Sequence, residues 1–291
     1  MFMMISGYFM IDIKELRIEK IVSIFVRVLF YSVTLTLITF IIGNHYNTTI
    51  GIKELIGSFM PLSTTQYWYI SSYFLILVFC PWINILLKVL TKKDHKLLIV
   101  ILSLIWLDYL TIKGNVNTSN SVFFLLYLYI LVAYYKINGI SLTKIKLFVL
   151  SAIILTMRFL ILALSDKVSI INQYGNGIAD ILCAFGCLLL FALVSEMKTT
   201  HYSIINEIAG TTFGIYLLHD NGRFKGILWT FLGNCYCSIP STLKSLLMIL
   251  TVFISCSCID YFLSKSLFTY TDKLLKHSLL NNISPIKIGE D

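Results

Sequence analysis

Charge is what this sequence has least of. Only 13% of its 291 residues are Asp, Glu, Lys or Arg, where a soluble globular chain carries roughly a quarter. That shortage excludes a separate soluble domain. No Gly/Ser or Pro linker divides the chain, and no internal repeat is visible. No basic segment precedes the first apolar stretch, Met1–Ile11, so a secretory signal is not recognised. None of the seven cysteines has the C-x-x-C spacing of a metal or redox site, and their odd number argues against a full disulfide framework. The sequence has no P-loop, no G-x-S-x-G, no H-E-x-x-H and no carboxylate pair suited to glycoside hydrolysis. No metal is therefore expected.

What fills the chain is hydrocarbon. Apolar residues make up 57% and the mean hydropathy is +0.83. Apolar runs recur from end to end, which predicts an all-α, polytopic membrane helical bundle. Eight spans follow a partial one at the N-terminus: 21–43, 67–87, 97–112, 121–135, 147–164, 178–194, an interrupted span over 204–233, and 245–263. The stretch 97–112 is short for a bilayer core of about 30 Å. A membrane domain over residues 1–263 and a basic cytoplasmic tail over 264–291 are the expected divisions.

The loops test this layout. Lys and Arg number 15 in one alternating set of loops and 4 in the other, and the remaining four lie within spans. The positive-inside rule puts the richer set, with the C-terminus, in the cytoplasm of a cell's inner membrane. The net charge of +8 is thus loop charge that orients spans, and nucleic acid is not an expected partner. Met1–Ile11 then runs toward the cytoplasm and covers about 16 Å, which would start it near mid-membrane. The expectation is that one helix and half of another precede Met1; the alternative is a short re-entrant segment.

Several polar residues stand inside spans, where ionisable groups are costly and usually functional. Arg158 lies about 16 Å from the cytoplasmic end of its span; it is a candidate anion or substrate contact, or half of a buried pair with Asp108. Arg27 is placed either to snorkel to the headgroups or, facing inward, to bind a phosphate or carboxylate through its guanidinium fork. In "TTFGIYLLHDNGRFKG" an apolar helix breaks at His219-Asp220-Asn221-Gly222-Arg223. Broken helices at depth normally line a cavity. His219 can exchange protons near neutral pH and a nearby Asp can fix its tautomer; the blander reading is a turn near the outer interface. Trp68 and Tyr69 read most simply as interfacial belt residues, and Pro81 as a kink. Cys235 and Cys237 are candidates for redox activity on an outer loop.

Three stretches, "FMMISGYFM", "WYISSYFLILVFCPWIN" and "FGIYLLHDN", together resemble the acyltransferase 3 family of multi-pass membrane O-acyltransferases. "CIDYFLSKSLF" is similar to the Asp-containing final span of that family. The resemblance covers nearly the whole chain. It implies transfer of an acyl group, usually acetyl from acetyl-CoA, to a hydroxyl of an exported or surface glycan, as in capsule or exopolysaccharide synthesis. It makes acyl-CoA the donor, and the bilayer, a glycan acceptor and other polysaccharide-synthesis membrane proteins the partners. It makes Ser6, Gly7 and Tyr8 part of a second-helix motif, with the family's Arg and catalytic His in a first helix that this sequence lacks. It keeps Tyr216 and His219 as an intact motif, and leaves the basic motif degraded, with Lys20 matched and Ser23 where a second basic residue is expected. His219 becomes a stand-in catalytic base, with Arg27, Arg158, Trp68, Tyr216, Asp220 and Arg223 as substrate contacts. Two other classes remain: an inactive remnant, and a glycan flippase or transporter. The latter expects matched breaks in two halves, and only one strong break is visible, at His219–Gly226.

Overall fold

A computed structural model describes residues 1–113, 122–165, 167, 169–197, 201–277 and 286–287. In chain order the helices are α1 (Phe2–Met10), α2 (Ile18–Ile42), α3 (Ile52–Gly57), α4 (Trp68–Val89), α5 (Lys92–Lys113), α6 (Val122–Asn138), α7 (Lys144–Ser165), α8 (Ser169–Ser195), α9 (Ser203–Gly210), α10 (Thr212–His219), α11 (Lys225–Cys235), α12 (Ser241–Leu263) and α13 (Thr269–His277). Among the described residues the only strands are the two-residue pieces Glu15–Leu16 and Ile286–Lys287. The all-α expectation is met.

Among the described residues, five helical stretches are both long and apolar enough to cross a membrane: Ile18–Tyr46, Trp68–Val89, Lys144–Leu164, Gly177–Ser195 and Ser241–Leu275. Val122–Asn138 is a shorter apolar helix. The short span expected at 97–112 is the apolar part of a 22-residue helix whose first residues are Lys-Lys-Asp-His-Lys. The helix is about 33 Å long, but its charged start leaves an apolar part shorter than a bilayer core, and it is not one of the five. Only 11% of the apolar window of α7 is buried. Phe148, Met157, Phe159 and Leu160 stand exposed along it. Such a surface suits lipid, not water. The protein is a multi-pass membrane protein.

The described residues divide into two compact units. The first comprises residues 1–16, 72–199 and 287–291 and the second residues 17–71 and 200–286, so α4 gives its first turn to the second unit. In lipid, helices associate through close packing and hydrogen bonds, because the tails outside are as apolar as the interior. Both devices appear in the first unit. Gly186 on α8 comes so close to α7 that a Cβ there would lie 2.8 Å from Leu155. Ser103 and Tyr127 hydrogen-bond at 2.8 Å between α5 and α6, and Trp106 stacks on Phe124.

In the second unit α2, α10 and α12 enclose Val28, Tyr31, Leu35, Leu217, Val252 and Cys256. Residues 264–277, expected to begin the tail, do not leave this unit. A π-helical turn, Ser264–Phe268, carries α12 straight into α13. Phe268 is fully buried against Phe30 and Tyr31. Pro81 lies inside α4, which continues through it.

Candidate active site and family membership

The expected break after His219 is present, and its construction is local. Helix α10 ends when Asp220, at φ −102° and ψ 14°, leaves helical geometry with its N–H still bound to the Tyr216 carbonyl. Asn221 then folds back. Its Oδ1 accepts from the N–H groups of Arg223 (3.0 Å) and Phe224 (3.1 Å), which starts α11. This is the usual work of Asn at a helix start. The Asn221 Nδ2 donates to the Tyr67 hydroxyl at 2.6 Å, and that hydroxyl donates to the Leu217 carbonyl at 2.9 Å. Tyr67 and Asn221 are both fully buried. The backbone groups freed by the break are thus satisfied within protein, as depth in a bilayer requires.

Arg223 donates to neutral oxygens, with the Glu54 carboxylate within electrostatic reach. Its Nη1 donates to Thr36 Oγ1 (2.9 Å) and Gln66 Oε1 (3.2 Å). Gln66 also accepts the Gly222 N–H through its backbone carbonyl, at 3.3 Å. Asp220 pairs with Lys225 at 3.5 Å. The sequence offered Asp220 as the group that orients His219, and the geometry gives that work to a backbone carbonyl. His219 Nδ1 lies 2.7 Å from the Ile215 carbonyl. A carbonyl only accepts, so Nδ1 carries the proton and the neutral ring keeps its lone pair on Nε2. The ring borders a cavity of about 330 Å³ lined by Ile215, Trp229, Ile249, Val252 and Phe253. Tyr216 packs its ring between those of Tyr69 (centroids 5.6 Å apart) and His219 (6.3 Å). Trp68 is half-buried, edge-on to Tyr69.

The Ser6-Gly7-Tyr8 motif belongs to the first unit and is a packing device there. A Cβ on Gly7 would lie 3.0 Å from both Tyr129 and Val132, so α1 and α6 approach closely at this residue. Ser6 hydrogen-bonds Tyr73 of α4. Lys136 donates to the Tyr8 carbonyl at 2.7 Å, sits 4.3 Å from the Tyr8 ring centroid and pairs with Asp12. Asn84 finishes the helix by donating to the carbonyls of Met10 (2.8 Å) and Ile13 (3.2 Å), while accepting from the Tyr129 hydroxyl.

Arg27 is already engaged in the second unit. It meets Asp272 of α13 at 3.3 Å and lies 4.9 Å from the Phe268 centroid, and Ser23 donates to the same carboxylate at 2.5 Å. A cavity of about 350 Å³ beside them is lined by Glu19, Lys20, Ser23, Ile24, Asp272 and Leu275. Arg158 stands in the first unit, within electrostatic reach of Asp180 on α8. Its Nε is buried without a hydrogen-bond partner. The proposed partner Asp108 has a side chain outside the described residues.

One buried carboxylate escaped the list of candidates. Asp260 of α12, 3% exposed, accepts from the Tyr31 hydroxyl at 2.6 Å and from Ser264 Oγ at 3.3 Å. Gly214 of α10 faces it so closely that a Cβ would fall 1.9 Å from its Oδ1. An ionisable residue inside a span was the available signal, and in "CIDYFL" it was used only for its resemblance. Tyr67, Gln66 and Thr36 gave no signal, because Tyr and Thr are ordinary in apolar spans.

A family profile described as an acyltransferase domain matches residues 1–261. The chain belongs to the acyltransferase 3 family. It is a membrane acyltransferase of the non-aminoacyl kind. The family match runs through the motif of α1, the broken α10–α11 segment and the Asp260 span alike. No curated protein and no solved structure matches the chain.

Proposed function

We propose that this acyltransferase moves an acyl group, acetyl in the simplest case, from acyl-CoA to a hydroxyl of an exported or cell-surface polysaccharide. The observation that carries the reading is the His219 imidazole, fixed by the Ile215 carbonyl with Nε2 left free beside a cavity. Nε2 takes the proton from the acceptor hydroxyl as its oxygen attacks the thioester carbonyl. The tetrahedral intermediate then expels the CoA thiolate, which recovers that proton from the imidazolium. Donor access from the cytoplasmic face follows from the charge alternation of the loops, which would concentrate the CoA phosphates there. That alternation supports an inner-membrane protein with its C-terminus in the cytoplasm, working beside other membrane proteins of polysaccharide synthesis.

Membrane vesicles given labelled acetyl-CoA and the glycan acceptor test this directly. Label is expected on the glycan, and His219→Gln is expected to lower the rate about 10²- to 10⁴-fold, the usual worth of a positioned base. Undiminished transfer by His219→Gln would remove His219 from the chemistry.

A further inference from the structure

The cavity beside His219 differs from a sugar site in its walls. Apart from the imidazole it offers Ile215, Trp229, Ile249, Val252 and Phe253. A free oligosaccharide is hydroxylated on every side, and each hydroxyl buried there without a partner would be unfavourable. The cavity instead suits a molecule that is hydrocarbon except at one point, where Nε2 can accept a hydroxyl proton.

Its position in the fold adds a second argument. Ile249, Val252 and Phe253 occupy one face of α12 at spacings i, i+3 and i+4. Ile249 is 59% exposed and Phe253 41%, and they continue an apolar surface through Leu246, Leu250 and Ile254. Only 17% of the apolar window of this helical stretch is buried. In a membrane protein such a surface faces acyl chains, so the cavity is continuous with the bilayer. At about 330 Å³ it is near the small end of ligand pockets, which run from about 300 to 1,000 Å³. That is room for part of one chain.

We propose that this cavity receives the hydrocarbon chain of a membrane lipid, and that the acceptor hydroxyl reaches His219 on the head group of that lipid. The proposal rests on the reading of His219 as the base at the acceptor. It makes the substrate class a lipid-linked hydroxyl compound entering sideways from the bilayer. Trp229 and Ile215 would grip the chain, and Ile249 and Phe253 would form the entrance.

The full chain in phospholipid nanodiscs tests it with a diazirine-bearing hexadecanol and the matched hexadecane. Cross-links to the alcohol are expected on residues 215–229 and 249–253, about tenfold above those on the equally exposed face of α7, a ratio worth one decade in affinity. Unlabelled hexadecanol should compete them away. Val252→Phe, which fills the cavity, and Ile249→Trp, which blocks its entrance, should each bring the labelling down to the α7 level. His219→Ala should erase the preference for alcohol over alkane while leaving alkane labelling in place. Labelling no greater than on α7, or unchanged in both filled variants, would overturn the proposal. Transfer of labelled acetyl by the wild-type vesicles is read separately, so acyl transfer without the cross-links would sink the lipid site and leave the acyltransferase reading standing.

Discussion

Arg158 shows how a single charge is accommodated in an apolar span. Among the described residues its Nε has no acceptor, and Asp180, one helix away, lies within electrostatic reach. Removing one member of such a pair leaves the other uncompensated, which costs more than removing both. Arg158→Met should therefore lower the stability of the detergent-solubilised protein by about 1–3 kcal/mol, below the fully buried limit because both side chains are half-buried. Adding Asp180→Leu should recover at least half of that loss in thermal unfolding. Losses that simply add would show that the two do not compensate each other. Arg223 is held by hydrogen bonds to Thr36 and Gln66, with the Glu54 carboxylate within electrostatic reach. Asp260 is held by the hydroxyls of Tyr31 and Ser264.

Between elements, closeness is set by missing side chains. Gly214 lets α10 lie against Asp260 of α12, and Gly7 lets α1 lie against α6. Gly214→Ala puts a methyl 1.9 Å from a carboxylate oxygen, a distance no rotamer of Asp260 relieves while it keeps its bond to Tyr31. A loss of at least about 1–3 kcal/mol is expected, as for overpacking generally, with partial recovery when Asp260→Ala is added. Gly7→Leu should destabilise by a similar amount, whereas Gly7→Ala meets the Tyr129 ring and a Val132 methyl at 3.0 Å, so it should cost less, with a shift of a few tenths of an ångström relieving the contact. Both are read by thermal unfolding in detergent. The helices themselves were legible, since apolar runs of this length in a chain with so little charge have one stable form in a bilayer. The break at His219 was legible from its polar cluster. The second discontinuity, at Thr211 between α9 and α10, was not. Thr211 closes it by bonding the Ile208 carbonyl and Ser257 of α12, at 2.8 Å each, and Gly210-Thr211-Thr212 in an apolar run does not by itself mark those partners.

For the molecule as a whole, the loop charges make an orientation that labelling can check. Cys235 and Cys237 are exposed free thiols on the side with few Lys and Arg residues. A membrane-impermeant maleimide added to intact cells should modify them and should not modify a probe thiol introduced by Lys273→Cys. The reverse pattern would invert the topology. The sequence alone determined the solvent, the element type, the alternation of loop charge and the family, because each is a property of residues near one another in the chain. Only the tertiary structure decided which polar groups meet. Tyr67 and Asn221, or Tyr31 and Asp260, are partners across much of the chain's length. The physical reason lies in the solvent. A helix in lipid is apolar on its protein-facing and its lipid-facing sides alike, so its pattern does not record which side turns inward. That side was settled by packing, and with it the apolar cavity at His219.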